Sequence, residues 1–266
     1  MLVNLQTILK DAYDKGYAVP AFNVYNMETV MGVIAAAREA KSPGILQFYS
    51  RLATTGVAES LMPVVLHAAH SASVPVCAHL DHGSGFDAAA IAVKSGASGI
   101  MVDFSALDFE SNVVNTAKAV EICSALNIGV AAEGVSDQYT EVKDAVEFVE
   151  RTRVGALAVM VGTAHGRYKK APVLAIERIK EIRNATKTPL VLHGGSGVPD
   201  DQVKAAIKAG ICKVNFGTDL CYSFLDKIFE TDRKTFAIDL FMRGPTDAVK
   251  AFALDKIRLL GAENRA

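Results

Sequence analysis

The chain has almost no excess of charge: 28 Lys and Arg stand against 29 Asp and Glu. Its basic residues are scattered. It therefore offers no footprint for a nucleic-acid backbone or a membrane surface, although small anionic ligands stay open. Cysteine is scarce, and Cys77, Cys123, Cys212 and Cys221 are too widely spaced to form a C-x-x-C pair. They read as reduced thiols packed like small hydrophobes. No apolar run approaches the roughly 20 residues of a spanning helix, and the amphipathic start "MLVNLQTILKDAYDKG" has no small-residue cleavage site. The expectation is a cytoplasmic protein. No Pro-, Gly- or Ser-rich linker and no low-complexity tract divides the 266 residues, which predicts one domain over 1–266.

Short apolar runs recur along the chain instead. They read "YAVPAFNV", "GILQFY", "VPVCAHLD", "SGIMVDF", "IGVAAEG", "GALAVMVG", "PLVLHGG" and "ICKVNFG". Between them lie helical patterns with apolar residues three and four apart, such as "METVMGVIAAAREA" and "VLAIERIKEIRNAT". Strands that are apolar on both faces belong to parallel sheets covered by helices. The alternation thus predicts an α/β protein, a (β/α)8 barrel, ahead of an open doubly wound sheet. The open sheet loses support because no G-x-G-x-x-G follows the first strand. From about residue 218 the pattern is helical throughout, with "RGPT" at 243–246 expected to start a last helix beyond the eighth unit.

Barrel chemistry sits at the C-terminal ends of the strands. The third strand ends in Asp81-His82-Gly83, the sixth in "VGTAHG" with His165, and the seventh in "LHGGSG" with His193. Three neutral imidazoles converging from separate strands suit a catalytic Zn2+ with an open coordination position. Asp81, beside a presumed ligand, is placed to exchange a proton with a substrate hydroxyl. We expect the strand to stop after Leu80 and a turn to bring Asp81 and His82 to one pocket. His79 is expected to point into the barrel, as support for a carboxylate or as a satisfied core histidine, while His67 and His70 share a helix and read as packing or a solvated edge.

A glycine-rich loop, "HGGSGVPDDQV", follows the seventh strand and brings Gly194, Gly195 and Ser196 before a helix beginning near Pro199. After strand eight, "VNFGTDL" sets Asn215, Gly217 and Thr218 at the start of the next helix. Consecutive backbone N–H groups and a helix N-terminus are favourable places for phosphate.

With these residues in view, the chain resembles the class II, zinc-dependent ketose-bisphosphate aldolases, which include fructose- and tagatose-bisphosphate aldolases. The likeness runs nearly end to end through "YAVPAFNV", "HLDHG", "GTAHG" with Tyr168-Lys169, "PLVLHGGSG", "KVNFGTDL" and "KIRLLG". By position it implies His82, His165 and His193 as zinc ligands, Asp81 as acid/base and Asn215 as a contact to the dihydroxyacetone portion. It implies Gly166, Gly194, Ser196, Gly217 and Thr218 as the phosphate loops, and backbone oxygens of Gly166 and Gly194 as a site for a monovalent cation, Na+ or K+. The implied reaction is reversible cleavage of a ketose phosphate to dihydroxyacetone phosphate and an aldehyde, by a homodimer or homotetramer. Distal substrate contacts fall to Asn23, Ser50, Arg51, Asp103, Ser105 and, from a neighbouring subunit, Arg243.

One stretch departs from the family pattern. Where the family reads E-x-E-L-G and then a mobile acidic loop, this chain has "AAEGVSDQYTEVKDAVEF". Glu133 matches the second glutamate and is expected to be catalytic, Ala131 replaces the first, and the loop is short. Asp137 and Glu141 are candidates for the loop base by proximity alone. The alternatives are an aldolase for a non-standard sugar phosphate, a non-catalytic sugar-phosphate-binding relative, and metal-assisted hydrolysis, for which the rim has too few carboxylates.

Overall fold

The computed structural model describes residues 1–134, 139–164, 166, 168 and 170–266. Eight parallel strands form a closed barrel in sequence order: β1 (Val19–Asn23), β2 (Gly44–Tyr49), β3 (Val76–Gly83), β4 (Gly99–Val102), β5 (Gly129–Glu133), β6 (Ala156–Ala158), β7 (Leu190–Leu192) and β8 (Ile211–Phe216). The pairing of β1 with β8, in register from Val19↔Lys213 to Phe22↔Phe216, closes the sheet and excludes the open arrangement. Every residue of β1, β3 and β8 is buried, as their near-continuous apolar sequences require.

The helices are α1 (Leu5–Lys15), α2 (Met27–Glu39), α3 (Ser50–Thr54), α4 (Val57–Ser71), α5 (Phe86–Lys94), α6 (Phe109–Ala125), α7 (Val142–Thr152), α8 (Ile176–Thr186), α9 (Asp200–Ala209), α10 (Thr218–Glu230) and α11 (Ile238–Leu259). Their starts are written locally. Asn26 accepts from the Thr29 N–H while Thr29 answers with its hydroxyl, a capping box that opens α2, and Asp108 caps α6 through the Ser111 N–H. α1 buries Leu5, Ile8, Leu9 and Ala12 against strands at the N-terminal end of the barrel. Each large side chain there contributes roughly 2 kcal/mol. The opposite, C-terminal end is thereby the open one.

Two expectations are corrected. β3 does not stop after Leu80 but continues to Gly83. α11 does not start at "RGPT" but at Ile238, so Pro245 lies inside it. The proline removes the bond to the Phe241 carbonyl at a cost of about 3 kcal/mol. Burial of Val249, Ala253 and Ile257 as α11 packs on α2 offsets it. Among the described residues no helix is long and apolar enough to cross a membrane.

Candidate active site

The end of β3 is shaped by a bulge. Leu80 pairs with Ile100 and Gly83 with Val102, so three steps on β3 face two on β4. His82 takes up the extra residue with a φ of 50°, the left-handed region that a side chain enters at a cost of roughly 1 kcal/mol. The bulge breaks the strict alternation, and Asp81 and His82 both line one cavity of about 280 Å³. The strand itself, not a turn after it, delivers two adjacent side chains to the same place.

Asp81 is buried and fully engaged. Its Oδ2 accepts from Asn23 Nδ2 at 2.9 Å and its Oδ1 from Asn215 Nδ2 at 3.0 Å. Its Oδ1 also lies 3.0 Å from His82 Nδ1. Burial by itself would push the carboxyl up. The His82 contact and the charges of His82, Lys213 and His193 outweigh it and hold Asp81 far below the usual carboxylate range. Burial likewise lowers the His82 imidazole, but Asp81 outweighs that and leaves it raised.

Glu133, at the end of β5, behaves oppositely. Burial first, and the nearby Asp103 charge second, push it up to about 7. Its Oε2 lies 3.9 Å from both His82 Nε2 and His193 Nδ1. The His82 and His193 rings are 4.4 Å apart. Potential ligand atoms of Asp81, His82 and His193, and of His82, Asp103 and Glu133, fall within 4.8 Å of one another. Two imidazoles flanked by carboxylates are a donor set that suits a divalent transition metal. His165, expected as the third histidine, lies outside the described residues, as does Asp137.

The far wall of the cavity is the glycine cradle, with Gly166, Gly194, Ser196, Gly217 and Thr218 beside Asn23 and Asn215. Gly194 has a φ of 62°, and a Cβ there would overlap the Ala164 carbonyl oxygen. No other residue fits. Gly195 instead packs under the loop, where a Cβ would meet Val214 Cγ1 and the Asn215 carbonyl. Ser196 Oγ accepts from the Asp219 N–H at 3.1 Å, and the Gly197 N–H donates to Asp219 Oδ2 at 3.0 Å, tying the loop to the start of α10. The Tyr168 hydroxyl accepts from the Ala164 N–H at 2.8 Å and donates to the Gly194 carbonyl at 2.9 Å.

The remaining candidates divide. Asn23 and Arg51 line the cavity, whereas Ser50 is buried at the start of α3 and is not among the lining residues. Asp103 belongs to the histidine cluster, with its Oδ1 accepting from the N–H and hydroxyl of Ser105. Arg243 is exposed on α11 and takes no part in its own chain's cavity. Glu141 precedes α7 and pairs with Arg178 at 3.1 Å, so it is occupied on the surface. His79 is buried inside the barrel as expected, but no carboxylate accepts from it among the described residues; both Asp81 oxygens are taken by amides. The reading missed Tyr25 and Tyr49, which line the cavity, and the buried Gln47 and Lys213. The available signal was a lysine two places before Asn215 in an otherwise apolar strand, hence on the same face.

Comparison with known proteins identifies the family of the chain. The family described as fructose-bisphosphate aldolase class-II matches residues 3–265. The crystal structure of the YdjI aldolase from Escherichia coli K12 superimposes with a TM-score of 0.94 at 40% identity, covering 100% of both chains. A sulfofructosephosphate aldolase of Alkalicoccus urumqiensis is 35% identical over 98% of this chain and 97% of its own. A Bacillus subtilis protein named probable fructose-bisphosphate aldolase is 35% identical over 100% of this chain and 99% of its own. A closed barrel with the site at its C-terminal rim, matched from end to end, makes this chain an aldolase of the class II fructose-bisphosphate aldolase family.

Proposed function

We propose that the protein is a zinc-dependent aldolase that reversibly cleaves a ketose phosphate or bisphosphate into dihydroxyacetone phosphate and an aldehyde. One observation carries this reading: an ionised Asp81, fixed through both oxygens and beside His82, faces a glycine cradle across a single cavity. His82 and His193, with His165 third by its place in the sequence, would hold the ion, which when bound supplies Lewis acidity toward a ketose carbonyl. Asp81 accepts the proton of the C4 hydroxyl as the C3–C4 bond breaks. The N–H groups of the Gly194–Ser196 loop and of the α10 start at Gly217 and Thr218, with Gly166 opposite, hold the phosphate and so fix the reacting carbons over Asp81. The Gly166 and Gly194 carbonyl oxygens would hold a monovalent cation, Na+ or K+, and Tyr168 donates to the second of them. Glu133, poised near neutral pH, exchanges the proton on the dihydroxyacetone side in place of the usual loop acid.

Substrate identity rests on the aldehyde half, because the relatives' names span fructose bisphosphate and sulfofructose phosphate. Arg51 and Tyr49 face that half from β2 and α3, with Asp103 and Ser105 beyond the histidines. A homodimer or homotetramer in the cytoplasm fits the surface of the C-terminal helices. Phe229, Phe236, Ile238 and Leu240 are 82%, 94%, 76% and 55% exposed there, and a second copy covering them would carry Arg243 toward a neighbour's cavity.

The test is release of dihydroxyacetone phosphate from fructose bisphosphate, tagatose bisphosphate, sulfofructose phosphate and other ketose phosphates. Wild type, chelator-treated protein and Asp81→Ala are compared. Release that is lost on chelation, restored by zinc and nearly abolished in the variant is the expected result. A zinc-loaded wild type that releases product from no member would overturn the reading.

A further inference from the structure

Lys213 is fully buried inside the barrel, and among the described residues no carboxylate lies within ion-pair distance of it. Its ammonium instead donates to two amide oxygens, Asn215 Oδ1 at 2.6 Å and Gln47 Oε1 at 3.1 Å. Gln47 Nε2 donates to Asn23 Oδ1 at 2.9 Å. Asn23 Nδ2 and Asn215 Nδ2 then donate to the two oxygens of Asp81 at 2.9 and 3.0 Å. The contacts form a closed ring of five side chains from β8, β1, β2 and β3, with a cation at one end, an anion at the other and two amide arms between them.

The chemistry of the ends fixes the direction of every bond. An ammonium can only donate and an ionised carboxylate can only accept, whereas a carboxamide has a donor and an acceptor end of nearly equal shape. With Lys213 in place, Asn215 turns its oxygen to the lysine and its nitrogen to Asp81. Gln47 passes the same polarity to Asn23. Reversing either asparagine would press N–H against N–H donors, or oxygen against carboxylate, at side chains only 5% exposed. Each asparagine nitrogen has two hydrogens, and one is used on Asp81. The second is left for the cavity that both residues line. A buried charge is a poor way to stabilise a barrel core, so its presence calls for another role.

We propose that Lys213 is a positioning residue of the aldol site: through Gln47 and Asn215 it locks the amides of Asn23 and Asn215 with their N–H groups toward Asp81 and the bound ligand. The site then presents donors, suited to a ketose oxygen that gathers negative charge as the carbon–carbon bond breaks, and holds the base in one orientation. This rests on the aldolase reading above, and Lys213 and Gln47, which do not line the cavity, act on it only through the two asparagines that do.

The kinetic test compares Lys213→Met and Gln47→Met with wild type on the best ketose phosphate. Lys213→Met, close in volume but without donors, should lower kcat about 100-fold while KM changes less than about threefold. Gln47→Met, which cuts only the Asn23 arm, should lower kcat about tenfold. A kcat within threefold of wild type in a folded Lys213→Met protein overturns the proposal. If that variant fails to fold, an unchanged kcat in Gln47→Met overturns it. A neutron structure of deuterium-exchanged wild type decides the ring independently of turnover. Deuterons of Asn23 and Asn215 aimed at Asp81 support it, and amide oxygens aimed at Asp81 refute it. Should wild type cleave no ketose phosphate at all, the substrate reading fails visibly in its own arm, and the neutron structure still decides the orientation of the amides.

Discussion

The two halves of the barrel wall treat a carboxylate in opposite ways. From β8 through β1 and β2 to β3 the interior is polar and paired, with Lys213, Asn215, Asn23, Gln47 and Asp81 in one network. Across β4 and β5 it is lined by glycine and apolar side chains: Gly99 lies against His79, and Met101 stands in register with Ala131. Asp81 ends a strand of the first half and is held ionised, while Glu133 ends a strand of the second and is pushed up to about 7. Both are buried. What separates them is the charge around each: the His82 contact and charge, with Lys213 and His193 behind them, outweigh burial at Asp81, whereas burial and then the like charge of Asp103 push Glu133 up. One barrel can therefore keep a ready base and a carboxyl poised near neutrality on the two sides of one histidine, His82.

The largest effect should come from turning the polar half against itself. Asp81→Asn places a third amide where two N–H groups converge and removes the base, and kcat should fall about 1,000-fold. A rate within tenfold of wild type would mean that another group takes the proton. Next in size is the opposite experiment, a charge set into the apolar half. Ala131 is 1% exposed, and Ala131→Glu, which restores the first glutamate of the family pattern, should cost about 3 kcal/mol in urea unfolding because its register neighbours, Met101 and Ala156, offer it no partner. A cost below about 1 kcal/mol would show that this half admits water.

Glu133 gives a smaller effect with a definite sign. Its folded value of about 7 lies above the ordinary 4.5, so the stability it contributes is complete below pH 4.5 and is lost as pH rises through 7. In metal-free protein Glu133→Gln should therefore match wild type near pH 4.5 and exceed it by about 2 to 3 kcal/mol at pH 8. Parallel pH profiles of the two proteins would refute the shift. The smallest effect belongs to the loop that bridges the halves. Tyr168→Phe removes the bonds to Ala164 and Gly194 and should lower stability by about 1 kcal/mol, with a weaker affinity for inorganic phosphate measured by calorimetry. An unchanged affinity would separate the cradle from the tyrosine.

The eightfold alternation of apolar runs and helical patterns was enough to predict the barrel, because parallel strands buried on both faces must be apolar throughout. Histidines and glycines at strand ends were enough to mark the rim, since the two kinds of residue are expensive or useless elsewhere in such strands. Ser196, Gly194, Gly217 and Thr218 were legible for the same reason, and all of them line the cavity. Two local readings failed where a long-range partner decides. The local reading ends the strand after Leu80 and uses a turn to bring Asp81 and His82 to one pocket, whereas the register against β4 carries the strand to Gly83 and unites them through a bulge. The proline in "RGPT" marks a helix start in the sequence, and only packing on α2 carries α11 through it. Distal contacts were least legible, as Ser50, Asp103 and Ser105 differ in direction more than in sequence position. The sequence by itself determined the eight units, the rim and the types of group placed on it, because periodicity and turn chemistry are local. The tertiary structure alone decided that Lys213, Gln47, Asn23, Asn215 and Asp81, drawn from four strands, meet in one ring: a hydrogen bond depends on distance and direction, and closure of the barrel is what sets both.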